Sequence, residues 1–342
     1  MFSGPSRAMP RNLITDIESV RVGHAEDRQL GSGTTAILFD APAVASIDIR
    51  GGSPGSHETD LLDPAMTVEH VDAITLSGGS AFGLEAASGV QAYLREQGRG
   101  YKVRTARVPI VPAAILFDLL SGGDKDWGRF PPYRDLGYAA AANAAEEFAL
   151  GSLGAGLGAT TVNLKGGIGS ASAITREGHL VGALVAANAA GSATVGPGPC
   201  FWAAPFERDN EFGGRGFPSP LPRSALEAKL KGAPGQSTTL CVVVTDAILS
   251  KAQIKRLAVM AQDGLARALY PIHTPVDGEV VFAASTRRRP LADPAVGLAE
   301  LGAEAANVVA RAIARSVFEA KALPFPGALP SWQDLFGLRA SP

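Results

Sequence analysis

The sequence predicts a mixed α/β domain, and three of its features carry that expectation. Short apolar runs recur at 35–39, 44–49, 71–76, 108–111, 180–187, 241–245 and 280–284, each of a length and composition suited to a buried strand. Helical stretches lie between them, as they do where helices cover a sheet. Alanine and glycine crowd 136–192, where small side chains let such layers approach closely.

In chain order, the strand at 71–76 runs into Ser77-Gly78-Gly79-Ser80-Ala81-Phe82-Gly83 and then into a helix capped by Ser80 and reaching about Glu96. The N–H groups at such a helix start suit an anion or a substrate carbonyl, although a plain tight connection uses the same residues. Residues 192–223 break the alternation. They are rich in Pro, Gly and aromatics, Phe201, Trp202, Phe206, Phe212 and Phe217 among them. A connection of that length is ordinarily functional or disordered, and its aromatics favour a partly ordered loop. A short helical piece at 224–231 precedes a turn at Pro234-Gly235. Ser250 caps a helix to about Leu269 with Ile254, Leu257, Ala261 and Leu265 on one face, and Asp293-Pro294 opens a long helix ending near Ala322.

Composition narrows the function. The 342 residues are 46% hydrophobic and 19% charged, enough for one large domain or two smaller ones. A net charge of −2, with Arg287-Arg288-Arg289 the longest basic run, argues against nucleic acid or an anionic membrane as partner and for a small molecule or peptide. Cys200 and Cys241 are too few for a disulfide framework. With no apolar leader at 1–7 and no apolar run long enough to span a bilayer, a cytoplasmic, reducing location is expected.

The chemistry-bearing candidates are few. His-Glu-x-x-His, paired Cys-x-x-Cys, Gly-x-Ser-x-Gly and the phosphate-loop pattern are all missing, so neither a zinc enzyme nor a serine hydrolase of the elbow type is indicated. Ser237-Thr238-Thr239 sits between the Pro-Gly turn and the strand 241–245. A hydroxyl becomes a good nucleophile when it belongs to the first residue of a chain, whose own amine is the base; by frequency alone, though, such a cluster is a strand edge. Asn188 ends the strand 180–187 beside Ala189, Ala190 and Gly191, where its amide suits an oxyanion and equally a strand-end turn. Asp277 and Glu279 flank Gly278 before the strand 280–284, so an extended backbone turns both carboxylates to one side, toward a cation or toward solvent.

The order of these segments resembles the P1 family of self-processing aminopeptidases, the group of L-aminopeptidase/D-amino-acid esterases and β-aminopeptidases. The resemblance runs over nearly the whole chain: Val20-Arg21-Val22-Gly23-His24, Arg50-Gly51-Gly52-Ser53-Pro54-Gly55-Ser56-His57-Glu58-Thr59-Asp60, the turn at 76–84, Lys165-Gly166-Gly167-Ile168-Gly169, Ala187-Asn188, 237–246 and His273-Thr274-Pro275-Val276-Asp277-Gly278-Glu279. It implies a single four-layer α/β/β/α sandwich over 1–342, layered like N-terminal-nucleophile hydrolases but connected differently. It also implies self-cleavage between Ser237 and Thr238 into subunits 1–237 and 238–342, and a homo-oligomer, tetramer or larger, of the processed heterodimers.

By the same resemblance Thr238 is the nucleophile and Asn188 the oxyanion donor, with Asp277 and Glu279 orienting the Thr238 hydroxyl and amine. Ser80, Phe82, Phe117 and Asn163 are expected in the substrate pocket. Ser237 replaces the family's usual Asn or Gly, Asn163 stands where some amide-hydrolysing relatives carry Lys, and Phe117 stands where some carry Tyr. No metal or organic cofactor is implied. The expected activity is removal of N-terminal residues from small peptides, amides or esters through an acyl-Thr238 intermediate. The alternatives are acyl transfer of the ornithine-acetyltransferase type and an unprocessed binding protein of the same fold.

Overall fold

The strands of the computed structural model, which describes residues 11–231 and 237–337, are β1 (Val20–Asp27), β2 (Ser32–Ile49), β3 (Ser56–His57), β4 (His70–Ser77), β5 (Tyr101–Val103), β6 (Ala106–Val108), β7 (Ala113–Ile115), β8 (Ile168–Ile174), β9 (Leu180–Asn188), β10 (Thr238–Ala247) and β11 (Val280–Arg289). The helices are α1 (Ala86–Glu96), α2 (Tyr133–Ala142), α3 (Lys251–Ala268), α4 (Pro294–Phe318) and α5 (Trp332–Phe336).

Strand order is β3-β7-β4-β2-β11-β10-β9-β8, with β1 added on β2. The long strand β2 serves both halves. Its first part pairs with β1 and β4 and its last part with β11, and the register shifts between Leu38 and Ala43, around the exposed Asp40, Ala41 and Pro42. This break turns the sheet into two leaves that face each other: Ile37, Phe39, Ile74 and Leu76 of one leaf share a core with Leu184, Leu240, Val242 and Phe282 of the other. On the outer faces, Cys241, Val243 and Val281 pack on Ile254, Leu257 and Ile313 of α3 and α4, while Ala36, Leu38 and Ala73 pack on Val90, Leu94 and Ala140 of α1 and α2. The layering is α/β/β/α.

Side chains along β10 alternate between the two cores, with Leu240, Val242 and Val244 inward and Cys241 and Val243 outward. Full burial of each Val or Leu contributes roughly 1.5–3 kcal/mol. A one-residue slip would exchange every face, so this alternation fixes the register of Thr238 at the strand start.

Several elements depart from the sequence expectation. The run at 108–111 is not a strand of its own: Val108 ends β6, and the ladder with β4 begins at Ala113, beyond Pro109 and Pro112, which have no N–H to donate. Runs 35–39 and 44–49 are one strand. Ser80 caps nothing with its side chain: a 3₁₀ turn over Ser80–Glu85 precedes α1. The helical piece at 224–231 is reduced to a 3₁₀ turn, Arg223–Leu226, and α4 stops at Phe318.

Strand β8, unseen in the sequence, is built of Gly, Ser and Ala between two Ile residues because α4 crosses it closely. A Cβ on Gly169 would run into the carbonyl of Ala312. The Ser250 cap is as expected, its hydroxyl accepting from Gln253 N (3.3 Å) while Gln253 Oε1 accepts from Ser250 N (2.9 Å). The 192–223 connection is ordered by Phe201 and Phe212, which are buried against each other and against Trp332. The expected Pro234-Gly235 turn lies outside the described residues.

Candidate active site

The ends of β9, β10 and β11 meet at one point. In the antiparallel β9/β10 pair Thr238 stands opposite Asn188, and in the parallel β10/β11 pair Leu240 stands opposite Val280. A further parallel bridge joins Ser237 to Asp277. Thr238 and Asn188 therefore share the inward face of their leaf, and both are buried. The Thr238 hydroxyl donates to the Ser237 carbonyl at 2.6 Å. Ser237 Oγ is itself buried and has no hydrogen-bond partner among the described residues.

Gly278 completes this corner, and sequence reasoning assigned it no role. A Cβ there would lie 2.6 Å from Thr238 Oγ1 and 2.5 Å from Ser53 O, so any larger residue displaces the hydroxyl or the loop behind it. Its signal in the sequence was its place between two acidic residues, opposite the first hydroxyl of a strand. The Arg50–Ser53 segment braces the same corner: Ser53 N donates to Asp277 O (2.7 Å) and Ser53 Oγ to Pro275 O (3.1 Å).

The two carboxylates are both fully buried yet differently used. Asp277 Oδ1 accepts from Ala190 N (3.2 Å), and Oδ2 accepts from Thr274 N (3.0 Å) and Thr274 Oγ1 (2.7 Å), so it ties the acidic loop to the end of β9. Glu279 Oε2 meets His273 Nδ1 at 3.4 Å, and Oε1 has no partner among the described residues. Burial pushes the Glu279 carboxyl up to about 7, with the Asp277 charge adding to the rise and His273 opposing it. Glu279 can thus exchange a proton near neutrality.

The amide of Asn188 is oriented by its surroundings. Its Oδ1 accepts from Thr160 N (3.0 Å) and Lys231 Nζ (2.7 Å), and its Nδ2 donates to Phe117 O (3.0 Å). Phe117 thus meets the site through its backbone. Lys231, which the sequence did not single out, also donates to Thr160 O (2.9 Å) and Thr160 Oγ1 (3.0 Å). Burial pushes its ammonium down to about 7 against the pull of Asp277 and Asp118.

Nearby, Lys165 donates to the carbonyls of Gly156, Ala159 and Gly166, and burial takes it too down to about 7. Asp118 accepts from Ser32 Oγ (2.6 Å) and Gly79 N (2.8 Å), and burial raises its carboxyl.

The remaining pocket candidates divide. Asn163 bonds Thr161, Ser192 and Thr194 and lines a cavity of about 190 Å³ with Trp202 and Tyr270. Ser80 donates its N–H to Leu116 O, and Phe82 is half exposed, edge-on to Trp127 at 5.3 Å. Among the described residues neither has a hydrogen bond or ring contact to Thr238, Asn188 or Glu279. The described residues hold no cluster of three or more His, Cys, Asp or Glu placed to bind a metal ion, and no helix among them is long and apolar enough to cross a membrane.

The model of peptidase family S58 matches residues 12–327. An aminopeptidase of Mycobacterium tuberculosis, itself described as uncharacterized, is 41% identical over 349 residues, covering 95% of this chain and 98% of that protein. A 6-aminohexanoate-oligomer endohydrolase of Kocuria sp. is 28% identical over 290 residues, covering 82% of this chain and 77% of that protein. Among solved structures, a Burkholderia sp. β-aminopeptidase aligns with a TM-score of 0.67 at 22% identity, covering 94% of this chain and 90% of its own. The L-aminopeptidase D-Ala-esterase/amidase of Ochrobactrum anthropi, described as a variant of the Ntn-hydrolase fold, aligns with a TM-score of 0.68 at 20% identity, covering 98% and 97%. The structural likenesses carry the fold.

Proposed function

Because this chain belongs to peptidase family S58 and is a hydrolase of peptide or amide bonds, we propose that Thr238 is its nucleophile, that the chain cleaves itself before Thr238, and that it then removes N-terminal residues from small peptides and amides. The observation that carries this reading is the buried Thr238 hydroxyl held 2.6 Å from the carbonyl oxygen of the preceding residue, against a Gly278 that leaves it room.

In the proposed sequence, Thr238 Oγ1 attacks the Ser237 carbonyl carbon, the Ser237–Thr238 C–N bond breaks, and the Thr238 nitrogen takes up the proton lost from the hydroxyl. Water hydrolyses the resulting ester, which frees the Ser237 carboxylate and restores the hydroxyl. The new α-amine, whose ordinary pKa is about 8, then serves as base for the same hydroxyl on a substrate carbonyl.

Asn188 Nδ2 is assigned to the developing oxyanion. Glu279, with one oxygen that has no partner among the described residues and a carboxyl near 7, is assigned to the proton traffic of the amine, and Asp277 to holding the loop. Amide cleavage as the reaction class is further supported by the name of the Kocuria relative.

Hydrolysis of an aminoacyl p-nitroanilide tests the reading. The wild type releases p-nitroaniline and Thr238→Ala loses at least about 10³-fold in rate, as expected for loss of a nucleophile. Equal rates in the two proteins would refute it.

A further inference from the structure

Lys231 presents a complete set of acceptors for an ammonium. Its three N–H donors meet Thr160 O (2.9 Å), Thr160 Oγ1 (3.0 Å) and Asn188 Oδ1 (2.7 Å). Two of these oxygens belong to Thr160, which also lines a cavity of about 150 Å³ together with Gly158, Leu120 and Leu329. The third belongs to the residue paired with Thr238 across the sheet. Asp277 and Asp118 supply negative charge to the same place, their attraction working against burial on the Lys231 ammonium. The lysine backbone is tied to the end of β9, Lys231 N donating to Ala190 O at 2.9 Å.

Lys231 lies on the N-terminal side of the Ser237–Thr238 bond. It is therefore part of the acyl-side segment and not of the strand that bears the nucleophile. A site with three oxygens and two attracting carboxylates recognises a primary ammonium by its chemistry and not by its chain. We propose that Thr160 and Asn188 form a primary-ammonium subsite, that Lys231 fills it from within the same chain, and that the free amine of a substrate takes its place when Lys231 leaves it after the proposed cleavage. The identity of that substrate rests on the aminopeptidase reading; the binding chemistry of the subsite does not.

Two measurements separate these layers. In the Thr238→Ala background, Lys231→Ala removes the internal ammonium together with its stem and leaves room for n-butylammonium. Titration with n-butylammonium chloride is expected to bind Thr238→Ala/Lys231→Ala at least about tenfold more tightly than Thr238→Ala alone. Tetramethylammonium, which carries the charge but no N–H, is expected to bind neither. Equal binding of the two cations, or equal binding to the two proteins, overturns the subsite whether or not the protein hydrolyses anything.

Should Lys231→Ala fail to fold, Thr160→Val in an otherwise wild-type chain carries the test, because it deletes one acceptor of the subsite. The subsite requires KM for an aminoacyl amide to rise about fivefold with a smaller change in kcat, and KM for the N-acetylated amide to stay put. A KM for the free-amine substrate that is unchanged or lowered overturns it. Absence of hydrolysis by the wild type would count against the aminopeptidase reading, and n-butylammonium binding to Thr238→Ala/Lys231→Ser would then decide the subsite on the same criterion.

Discussion

Lys165 and Lys231 are both buried lysines pushed down to about 7, each with three oxygen acceptors, yet they belong to different kinds of structure. Lys165 donates to Gly156 O, Ala159 O and Gly166 O, all from its own stretch of chain, so it closes a local loop upon itself. Lys231 reaches Thr160 and Asn188, residues 71 and 43 positions away, and it enters the site from the part of the chain that ends at the proposed cut. The same donor chemistry thus serves as a permanent rivet in one place and as a removable occupant in the other. Counting hydrogen bonds does not separate the two roles; the origin of the acceptors does.

The comparison can be broken most severely at the rivet. Lys165→Met removes the side-chain donor shared by three buried carbonyls and one of the two positive charges acting on Asp118, at a cost of about 1–3 kcal/mol. Urea unfolding should register that loss, and should register a clearly smaller one for Lys231→Met.

Gly278→Ala touches neither lysine. With its Cβ 2.6 Å from Thr238 Oγ1, it should slow self-cleavage and turnover by about 10² while costing about 1–3 kcal/mol of stability. Normal cleavage in this variant would show that the hydroxyl position is not critical.

Acid–base behaviour sharpens the contrast next. Both lysines have folded pKa values near 7, below their ordinary 10.5. The unfolded chain therefore binds more protons between about 7 and 10.5, and stability gained from these groups rises with pH across that window. Lys165→Met should flatten the rise. Glu279 behaves oppositely. Its carboxyl lies at about 7 against an ordinary 4.5, so its contribution is full below about 4.5 and is lost as pH climbs through 7. Glu279→Gln should remove roughly 3 kcal/mol of the decline between pH 5 and 8, measured by denaturant melts at the two pH values.

The smallest effects belong to single contacts at the rim. Thr160→Val deletes one of the three Lys231 acceptors and should cost about 1 kcal/mol before cleavage. Phe82→Ala, at a half-exposed side chain, should change stability by less than about 0.5 kcal/mol.

The legible parts of this molecule were those that repeat a local pattern. The β-branched run in β10 and the Ser250 capping box both announce themselves, and the order of the motifs announced the family. What escaped was written in contacts between distant segments. Strand β8 hides in small residues chosen for a helix that crosses it some 140 positions later in the chain, where Gly169 meets Ala312. Lys231 has no local signature, since it matters for oxygens far away in sequence, and Gly278, marked only by its place between two acidic residues, matters for a side chain it lacks. Asp277 and Glu279 were read as a pair, and their division of labour emerges only from Thr274 and Ala190, whose donors saturate one carboxylate and not the other.

The central claim, that Thr238 becomes the first residue of a new chain, is tested most directly by denaturing mass analysis of the purified protein. Two masses corresponding to residues 1–237 and 238–342 are expected, with N-terminal sequencing that begins at Thr238 and one undivided mass for Thr238→Ala. A wild-type chain that remains a single mass while hydrolysing amides would contradict it.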